Sequence, residues 1–445
     1  MSKHLSQQPD WPDKKSFKDV IEKISSYPQL VFPNEIENLK TELSNVAQGN
    51  SFIVQGGDCA ETFKNFSENM IKNKLKILLQ MSAIVQFTTE LKTINIGRIA
   101  GQYIKPRSNN QEKRNDIILP SYKGDGVNSI DFDKAKRIPD PNRLIKAYHQ
   151  SAATMNLIRS LIMNGFTDIK QIQLWHKDLV VSSPLAKKYN SIVNKITKML
   201  DFAQKSGLVK KFSNMHSTNY YTSHEAILLD YEEAFMVNEG TLNSYCCSAH
   251  MLWVGDRTRY VDSDHIKFIG KLSNPVGIKI GPSINIDDIC KLYEKINPLH
   301  QKGKLSLISR LGANNIEQIF PKLIDKIKYY GFEVLWICDP MHGNTIKAKN
   351  GYKTRNFDTI IDELKTFFYI HESNNTVPGG IHIELTGENV TECLGGINNI
   401  KDKDLDKRYE TTCDPRLNHE QSLEIAFLVS ELLKKRGEKI ETTTN

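Results

Sequence analysis

Eight short apolar runs, separated by stretches of helical periodicity, constrain this sequence more than anything else in it. They are FIVQGG, INIGRIAG, AHMLWVG, VGIKIGP, LSLISRLG, EVLWICD, GIHIEL and RYETTCD. Their apolar character is continuous rather than alternating, as in strands buried on both faces, and helices crossing between parallel strands provide that cover. The intervening segments supply such helices, for example IDDICKLYEKIN after the fourth run and NIEQIFPKLIDKIKYYG after the fifth. Eight strand–helix units predict an α/β fold, a (β/α)8 or TIM barrel. A doubly wound open sheet is the competing arrangement. It calls for a G-x-G-x-x-G turn after a strand, and QGGD is too short for that and carries an acid.

The rest of the organisation lies outside this rhythm. Residues 1–50 read as an N-terminal helical extension with periodic cores at 17–24 and 34–46; Pro33 sets the second helix start and Gly49 its end. The barrel then spans 51–434. Residues 106–145 are polar, rich in Pro, Gly, Asn and Asp, and too long for a plain connector, which predicts a loop folded over the rim. Residues 156–206 hold inserted helices. The clearest starts with Ser183 as N-cap and Pro184 at N1, runs through Leu185, Tyr189, Ile192, Ile196, Met199 and Phe202, and stops at Gly207. The last stretch, 435–445, reads as a disordered tail.

Composition narrows the function class. A chain of 445 residues, 39% hydrophobic, can bury one large core. The net charge of +7, from 59 basic and 52 acidic residues, is spread without a basic block. That argues against nucleic acid and for an anionic small substrate. No window approaches the ~18 consecutive apolar residues of a membrane span, and MSKHLSQQPDWPDKK lacks the apolar core of a signal peptide. The seven cysteines show no paired spacing, so reduced thiols in a cytoplasmic protein are expected.

Two constellations carry the chemistry. Cys59, His342, Glu384 and Asp414 each end a run that reads as a strand, in SFIVQGGDCAE, EVLWICDPMHGN, GGIHIELTG and YETTCDPRLN. Taken singly they are a buried thiol, a capping Asp and two ordinary polar residues. Together they make a mixed S/N/O donor set suited to a borderline divalent transition metal, and a barrel rim can gather strand ends that lie far apart in sequence. Six cations, Arg98, Lys105, Arg107, Arg257, Lys279 and Arg310, lie at or just beyond the expected strands two to five. Solubility alone does not explain a cation inside GIKIG or LSLISR, because a buried cation needs an anionic partner. His382 shares a strand face with Glu384 and is expected to support it.

The chain carries QGGDCAE (55–61), GRIAGQYIKPRS (97–108), WVGDRTR (253–259), NPVGIKIGP (274–282), SRLGANN (309–315), WICDPMHGNT (336–345), GGIHIELTGENVTECLGG (379–396) and TTCDPRLNHEQSLEIAF (411–427). In this order they closely resemble the class II 3-deoxy-D-arabino-heptulosonate 7-phosphate (DAHP) synthases. The resemblance implies the first step of the shikimate pathway of aromatic amino acid biosynthesis, condensation of phosphoenolpyruvate with erythrose 4-phosphate. It implies a Mn²⁺ or Co²⁺ ion on Cys59, His342, Glu384 and Asp414. Arg98, Asp256, Arg257, Lys279 and Arg310 would hold phosphoenolpyruvate; Lys105, Pro106, Arg107, Ser108 and Glu225 would hold erythrose 4-phosphate. Lys105 would stabilise or protonate the new alkoxide, and Asp256 would help deliver water. Asp256 stands where the common form of the family has Glu, so direct proton transfer there would need a bridging water. The resemblance further implies a homo-oligomer, a chorismate mutase as partner, and the 156–206 helices as a contact element through which aromatic amino acids inhibit. Cys413 is expected beside Cys59 on neighbouring first and eighth strands, with a disulfide between them on oxidation. Two other readings compete: a KDO 8-phosphate synthase-like enzyme acting on arabinose 5-phosphate, and a catalytically silent regulatory barrel.

Overall fold

The computed structural model describes residues 5–206, 219–240 and 243–444. Before the barrel come α1 (Lys14–Ser25), started by the Asp13 carboxylate accepting from Ser16 N at 2.9 Å, and α2 (Pro33–Ala47). Glu35 accepts from Phe32 N at 2.8 Å to close the first turn of α2, and Gly49 leaves it at φ +81°. The strands β1 (Ser51–Gly57) and β2 (Lys92–Arg98) follow, with α3 (Glu68–Thr89) between them. A hairpin, β3 (Gln111–Arg114) and β4 (Ile117–Pro120), stands outside the barrel. The ring resumes at β5 (Tyr220–Glu225), leaves it for the hairpin β6 (Met236–Glu239) and β7 (Asn243–Cys246), and continues through β8 (Met251–Val254), β9 (Val276–Ile280), β10 (Leu305–Ser309) and β11 (Leu335–Cys338). After a third hairpin, β12 (Thr345–Lys347) and β13 (Lys353–Arg355), β14 (Gly380–Glu384) closes on β1. The eight barrel strands pair in parallel as a closed ring.

Seven of the eight expected runs are barrel strands, and RYETTCD is not. Residues 409–418 form a loop tied to the ring by a single bridge, Leu385 to Leu417. Pro415 cannot donate to a ladder there, and the neighbouring side chains are polar. The missing strand is β5, YYTSHE. It escaped the apolar-run criterion because its buried residues are Tyr220, Tyr221, Thr222, Ser223 and His224 rather than aliphatics. Arg257 therefore follows the fourth strand of the ring, Lys279 lies on the fifth, and Arg310 follows the sixth.

The floor is closed by α2, whose Leu39, Leu43 and Val46 form one apolar cluster with Ile53, Ile94, Ile96, Tyr221, Met251, Trp253, Ile308, Leu335 and Ile337 from inside the ring. This plug removes water from the strands' starting ends, so the cleft opens only at the other rim.

Three other boundaries differ from expectation. Helix α4 (Asn142–Met163) is continuous, so the insertion expected from 156 consists of α5 (Ile169–Ser182), α6 (Leu185–Lys188) and α7 (Asn190–Lys205). The single helix expected from Ser183 breaks at Tyr189 (φ −111°, ψ 36°), whose ring stacks on Phe427 at 4.7 Å; Gly207 lies outside the described residues. Where a disordered tail was expected, the C-terminal helix continues from His419 to Thr444.

Candidate active site

At the open rim, one cavity of about 400 Å³ is lined by all six cations, Arg98, Lys105, Arg107, Arg257, Lys279 and Arg310. Pro106, Ser108, Glu225, Asp256, His342 and Asp414 line it as well. Cys59 and Glu384 lie just beneath, 1% and 0% exposed. Residues from nine separate stretches of sequence thus meet, most of them because parallel strands all end on one face.

The sulfur and carboxylate donors converge. The ligand atoms of Cys59, Glu384 and Asp414 lie within 4.8 Å of one another, with Cys59 Sγ 3.5 Å from Asp414 Oδ2. His342 joins them through Nε2, 3.0 Å from Glu384 Oε1, and its Nδ1 faces Asp339 Oδ2 at 2.7 Å. A carboxylate behind the imidazole fixes its tautomer and leaves Nε2 free to ligate, the usual arrangement behind a metal-bound histidine. Glu384 Oε2 is buried without a well-directed hydrogen bond, though Arg355 Nη1 lies 2.9 Å away. Burial would raise the Glu384 carboxyl, but His342, Arg355 and Arg98 hold it well below the ordinary range. Asp414 is lowered too, against its burial, by Lys105 and Arg355. Burial pushes the Cys59 thiol up, so a bound cation is what would make it a thiolate. The donors fit a divalent transition metal.

The cations are paired and aimed. Arg98 Nη1 meets His382 Nε2 at 2.8 Å, and its Nη2 meets Glu384 Oε1 at 3.1 Å. His382 is held neutral by burial, with Lys279 and Arg98 adding to the effect. It donates from Nδ1 to Gln55 Oε1 at 2.8 Å, the tautomer that lets Nε2 accept from Arg98. Trp253 presents its ring to both Arg98 (5.3 Å) and Lys279 (5.7 Å). Lys279 Nζ sits 2.5 Å from Asp339 Oδ2; burial and Arg98 nevertheless bring its pKa down to about 8. Arg310 is clamped by Asp256 Oδ2 at 2.8 Å and by the His342 carbonyl at 2.9 Å. Arg257 Nη2 donates to Ser108 Oγ at 2.8 Å, joining two sides of the cavity. Burial would lower Lys105, but the surrounding acidic groups, the Glu384 and Asp414 carboxylates among them, outweigh it and keep the ammonium charged. Glu225 packs so tightly on Gly255 that a Cβ there would stand 2.0 Å from its Oε1.

Compared with known families, residues 1–430 match the class-II DAHP synthetase family. The chain belongs to this family. Its relatives include the phospho-2-dehydro-3-deoxyheptonate aldolase of Streptomyces coelicolor, strain A3(2), 46% identical over 430 residues that cover 96% of this chain and 95% of the relative. The protein of that name from Mycolicibacterium smegmatis is 42% identical over 442 residues, covering 98% and 94%. A solved structure of a phospho-2-dehydro-3-deoxyheptonate aldolase from Francisella tularensis SCHU S4 overlays with a TM-score of 0.46 at 14% identity, covering 95% of this chain and 97% of that one. Among the described residues no helix is long and apolar enough to cross a membrane.

For this class-II family member, one expectation about the site needs correcting. Asp414 and Cys413 are not at a strand end. They are carried by the 409–418 loop, which buried charge holds in place of a ladder. Arg416 donates to Asp58 Oδ1 at 2.7 Å and to Glu392 at 2.8 and 3.1 Å, Lys74 pairs with Asp58, and Arg355 donates to the Pro415 carbonyl. Cys413 still reaches Cys59, in a small cluster with Ala60 and Tyr122, and no disulfide is present among the described residues. Asp256 is committed on both oxygens, to Arg310 on one and to Arg259 (2.8 Å) and Gly281 N (3.2 Å) on the other.

Several site residues were not singled out in the sequence. Asp339 was readable three residues before His342 in WICDPMHG. Arg355 and Lys353, the latter 3.3 Å from Asp414 Oδ1, sit on a three-residue strand with no apolar signal. Glu112 meets Arg107 Nη2 at 3.2 Å, and Gln7 Oε1 accepts from Arg107 N at 2.8 Å. Nothing in their local sequence marks either one.

Proposed function

We propose that this chain is a DAHP synthase that joins phosphoenolpyruvate to erythrose 4-phosphate. The observation that carries this reading is the single cavity in which six cations face an S/N/O donor set. Two phosphorylated anions need that much positive charge, and guanidinium groups grip phosphate and carboxylate bidentately. Arg98, Arg257, Lys279 and Arg310 hold phosphoenolpyruvate. Lys105, Pro106, Arg107 and Ser108, with Glu225, hold the sugar phosphate.

A divalent ion, Mn²⁺ or Co²⁺, held by Cys59, His342, Glu384 and Asp414 would supply Lewis-acid polarisation of the aldehyde oxygen when bound. The enol carbon of phosphoenolpyruvate attacks the aldehyde carbon, and the Lys105 ammonium stabilises and then protonates the oxygen on which charge develops. Water adds at C2 of the former phosphoenolpyruvate, and the resulting hemiketal phosphate releases inorganic phosphate. With both oxygens engaged, Asp256 serves by fixing Arg310 rather than as the base for that water. The Arg257–Ser108 link, 2.8 Å long, ties the two substrate halves together.

Regulation and assembly belong to α5–α7. Trp175, Leu179 and Ile196 face Ile84 and Leu423 around a small apolar cavity, and Leu174, Val181 and Phe202 are exposed on the same helices. We assign the cavity to an aromatic amino acid and the exposed residues to a subunit contact.

One assay tests the reading: phosphate release from phosphoenolpyruvate with erythrose 4-phosphate or arabinose 5-phosphate, with and without Mn²⁺, and with Phe, Trp and Tyr. Stoichiometric release with the four-carbon sugar, dependent on metal and lowered by the amino acids, is the expected result. Preference for arabinose 5-phosphate would favour the KDO 8-phosphate-type enzyme, and no release with any aldose would favour a silent regulator.

A further inference from the structure

Between Arg98, which ends β2, and Lys105, the chain turns sharply. Ala100 adopts a left-handed conformation at φ +62°, which an alanine holds only where its surroundings fix it. What fixes it is Glu61, 5% exposed and two residues past Cys59. Its Oε1 accepts from Ala100 N at 3.1 Å, and its Oε2 accepts from Gly101 N and Gln102 N, each at 2.9 Å. Glu61 N also donates to Gln102 O at 2.8 Å. Three successive backbone N–H groups converging on one point form a nest of the kind that binds anionic ligands, and here the anion is the protein's own.

The consequences run in one direction along the chain. Gln102, held in the nest, accepts from Glu225 N at 3.1 Å and donates to Ile104 O at 3.0 Å, so it connects the turn to β5 and to the start of the Lys105–Ser108 loop. Arg98 is secured otherwise. It pairs with Gly57 in the β1–β2 ladder, and its guanidinium is held by His382 and Glu384. Loosening the nest would therefore disturb the Lys105–Ser108 loop and Glu225 while leaving Arg98, Lys279 and Arg310 in place.

We infer that Glu61 is a positioning residue for the aldose-phosphate half of the site, acting through the nest at residues 100–102. The inference rests on the condensation proposed above. The test is steady-state kinetics of wild type, Glu61→Gln and Glu61→Asp, varying each substrate in turn, with metal affinity and melting temperature measured in parallel. The amide keeps one acceptor but turns an NH₂ toward backbone donors, whereas the aspartate keeps the charge and retracts it by a methylene. Either variant that folds should raise KM for erythrose 4-phosphate about tenfold, as expected when charge-assisted hydrogen bonds go unmade. KM for phosphoenolpyruvate and Mn²⁺ affinity should stay within about twofold of wild type, as uniform loss on one substrate requires. Equal shifts in both Michaelis constants, no shift in either, or a loss confined to metal affinity would overturn the inference while the functional reading stands. A wild type that fails to condense the two substrates at all would overturn both.

Discussion

At the floor of the barrel Leu39, Leu43 and Val46 of α2 meet Ile53, Ile94, Met251 and Leu335, whereas the opposite, C-terminal ends of barrel strands carry Arg98, Lys279 and Glu384. The floor is held by area removed from water, which is non-directional and strongly stabilising. The rim buries charge, and burial of charge costs desolvation that only good pairing offsets. Its pairings are accordingly dense: Glu384 faces Arg98, Arg355 and His342, and Asp339 faces Lys279 and His342. The difference teaches where each property resides. Stability belongs to the floor, and the rim spends some of it on gathering charged and metal-ligating side chains at one place.

The largest test of that division removes the metal. Chelation should take turnover to background, and Mn²⁺ or Co²⁺ should restore it. Cys59→Ser should lower metal affinity at least ~100-fold, since it deletes a ligand rather than a supporting contact. Circular dichroism should still report a folded barrel, because the stabilisation lost is only the linkage contribution, about 2.7 kcal/mol at a hundredfold excess of metal over its Kd. Unfolding on chelation would erase the distinction between floor and rim. Full activity in metal-free protein would remove the metal from the mechanism.

A pair of substitutions sharpens the comparison. Leu43→Ala at the floor should cost about 2–5 kcal/mol of stability in urea unfolding and leave both Michaelis constants alone. Arg310→Ala at the rim should do the reverse. It should raise KM for phosphoenolpyruvate by roughly ten- to a hundredfold, the range for a charge-assisted bond, at nearly unchanged stability. Arg107→Ala should shift erythrose 4-phosphate instead. If Arg107→Ala weakened phosphoenolpyruvate and Arg310→Ala the sugar, the two halves of the site would have to be exchanged.

The floor and the rim also differed in how far they could be read from sequence. Seven strands were visible because aliphatic runs are what a doubly covered strand requires. The eighth, Tyr220–Glu225, was not, because its buried residues are aromatic and polar and make polar contacts: Ser223 accepts from Gln55 Nε2 at 2.9 Å, and Thr222 N donates to His250 Nδ1 at 2.9 Å. RYETTCD reads as the eighth strand, yet it is a loop that ion pairs at Arg416 hold at the rim. Cys59, His342 and Glu384 were legible as polar residues at strand ends, and Asp414 converges on Cys59 and Glu384 from a loop rather than a strand. Glu112, Lys353 and Arg355 were illegible because they arrive on short hairpins. Their hydrogen bonds are tertiary, and no periodicity records them.

The smallest expected effect concerns pH. Lys279 is buried with a pKa of about 8, below the ordinary lysine value of 10.5, since burial and Arg98 disfavour its charge more than Asp339 restores it. In the free enzyme the ammonium is therefore lost as pH rises through about 8. kcat/KM for phosphoenolpyruvate should then fall by up to about tenfold per pH unit above that point. Lys279 contributes to stability with the opposite sign. Its unfolded form binds more protons between pH 8 and 10.5, so this group adds stability as pH rises through that window. Lys279→Arg separates the two effects, because a guanidinium stays charged throughout. The variant should start weaker, from altered geometry against Asp339, and show a flatter alkaline limb. A limb as steep in Lys279→Arg as in wild type would assign the titration to another group and leave Lys279 as a floor-like structural residue placed at the rim.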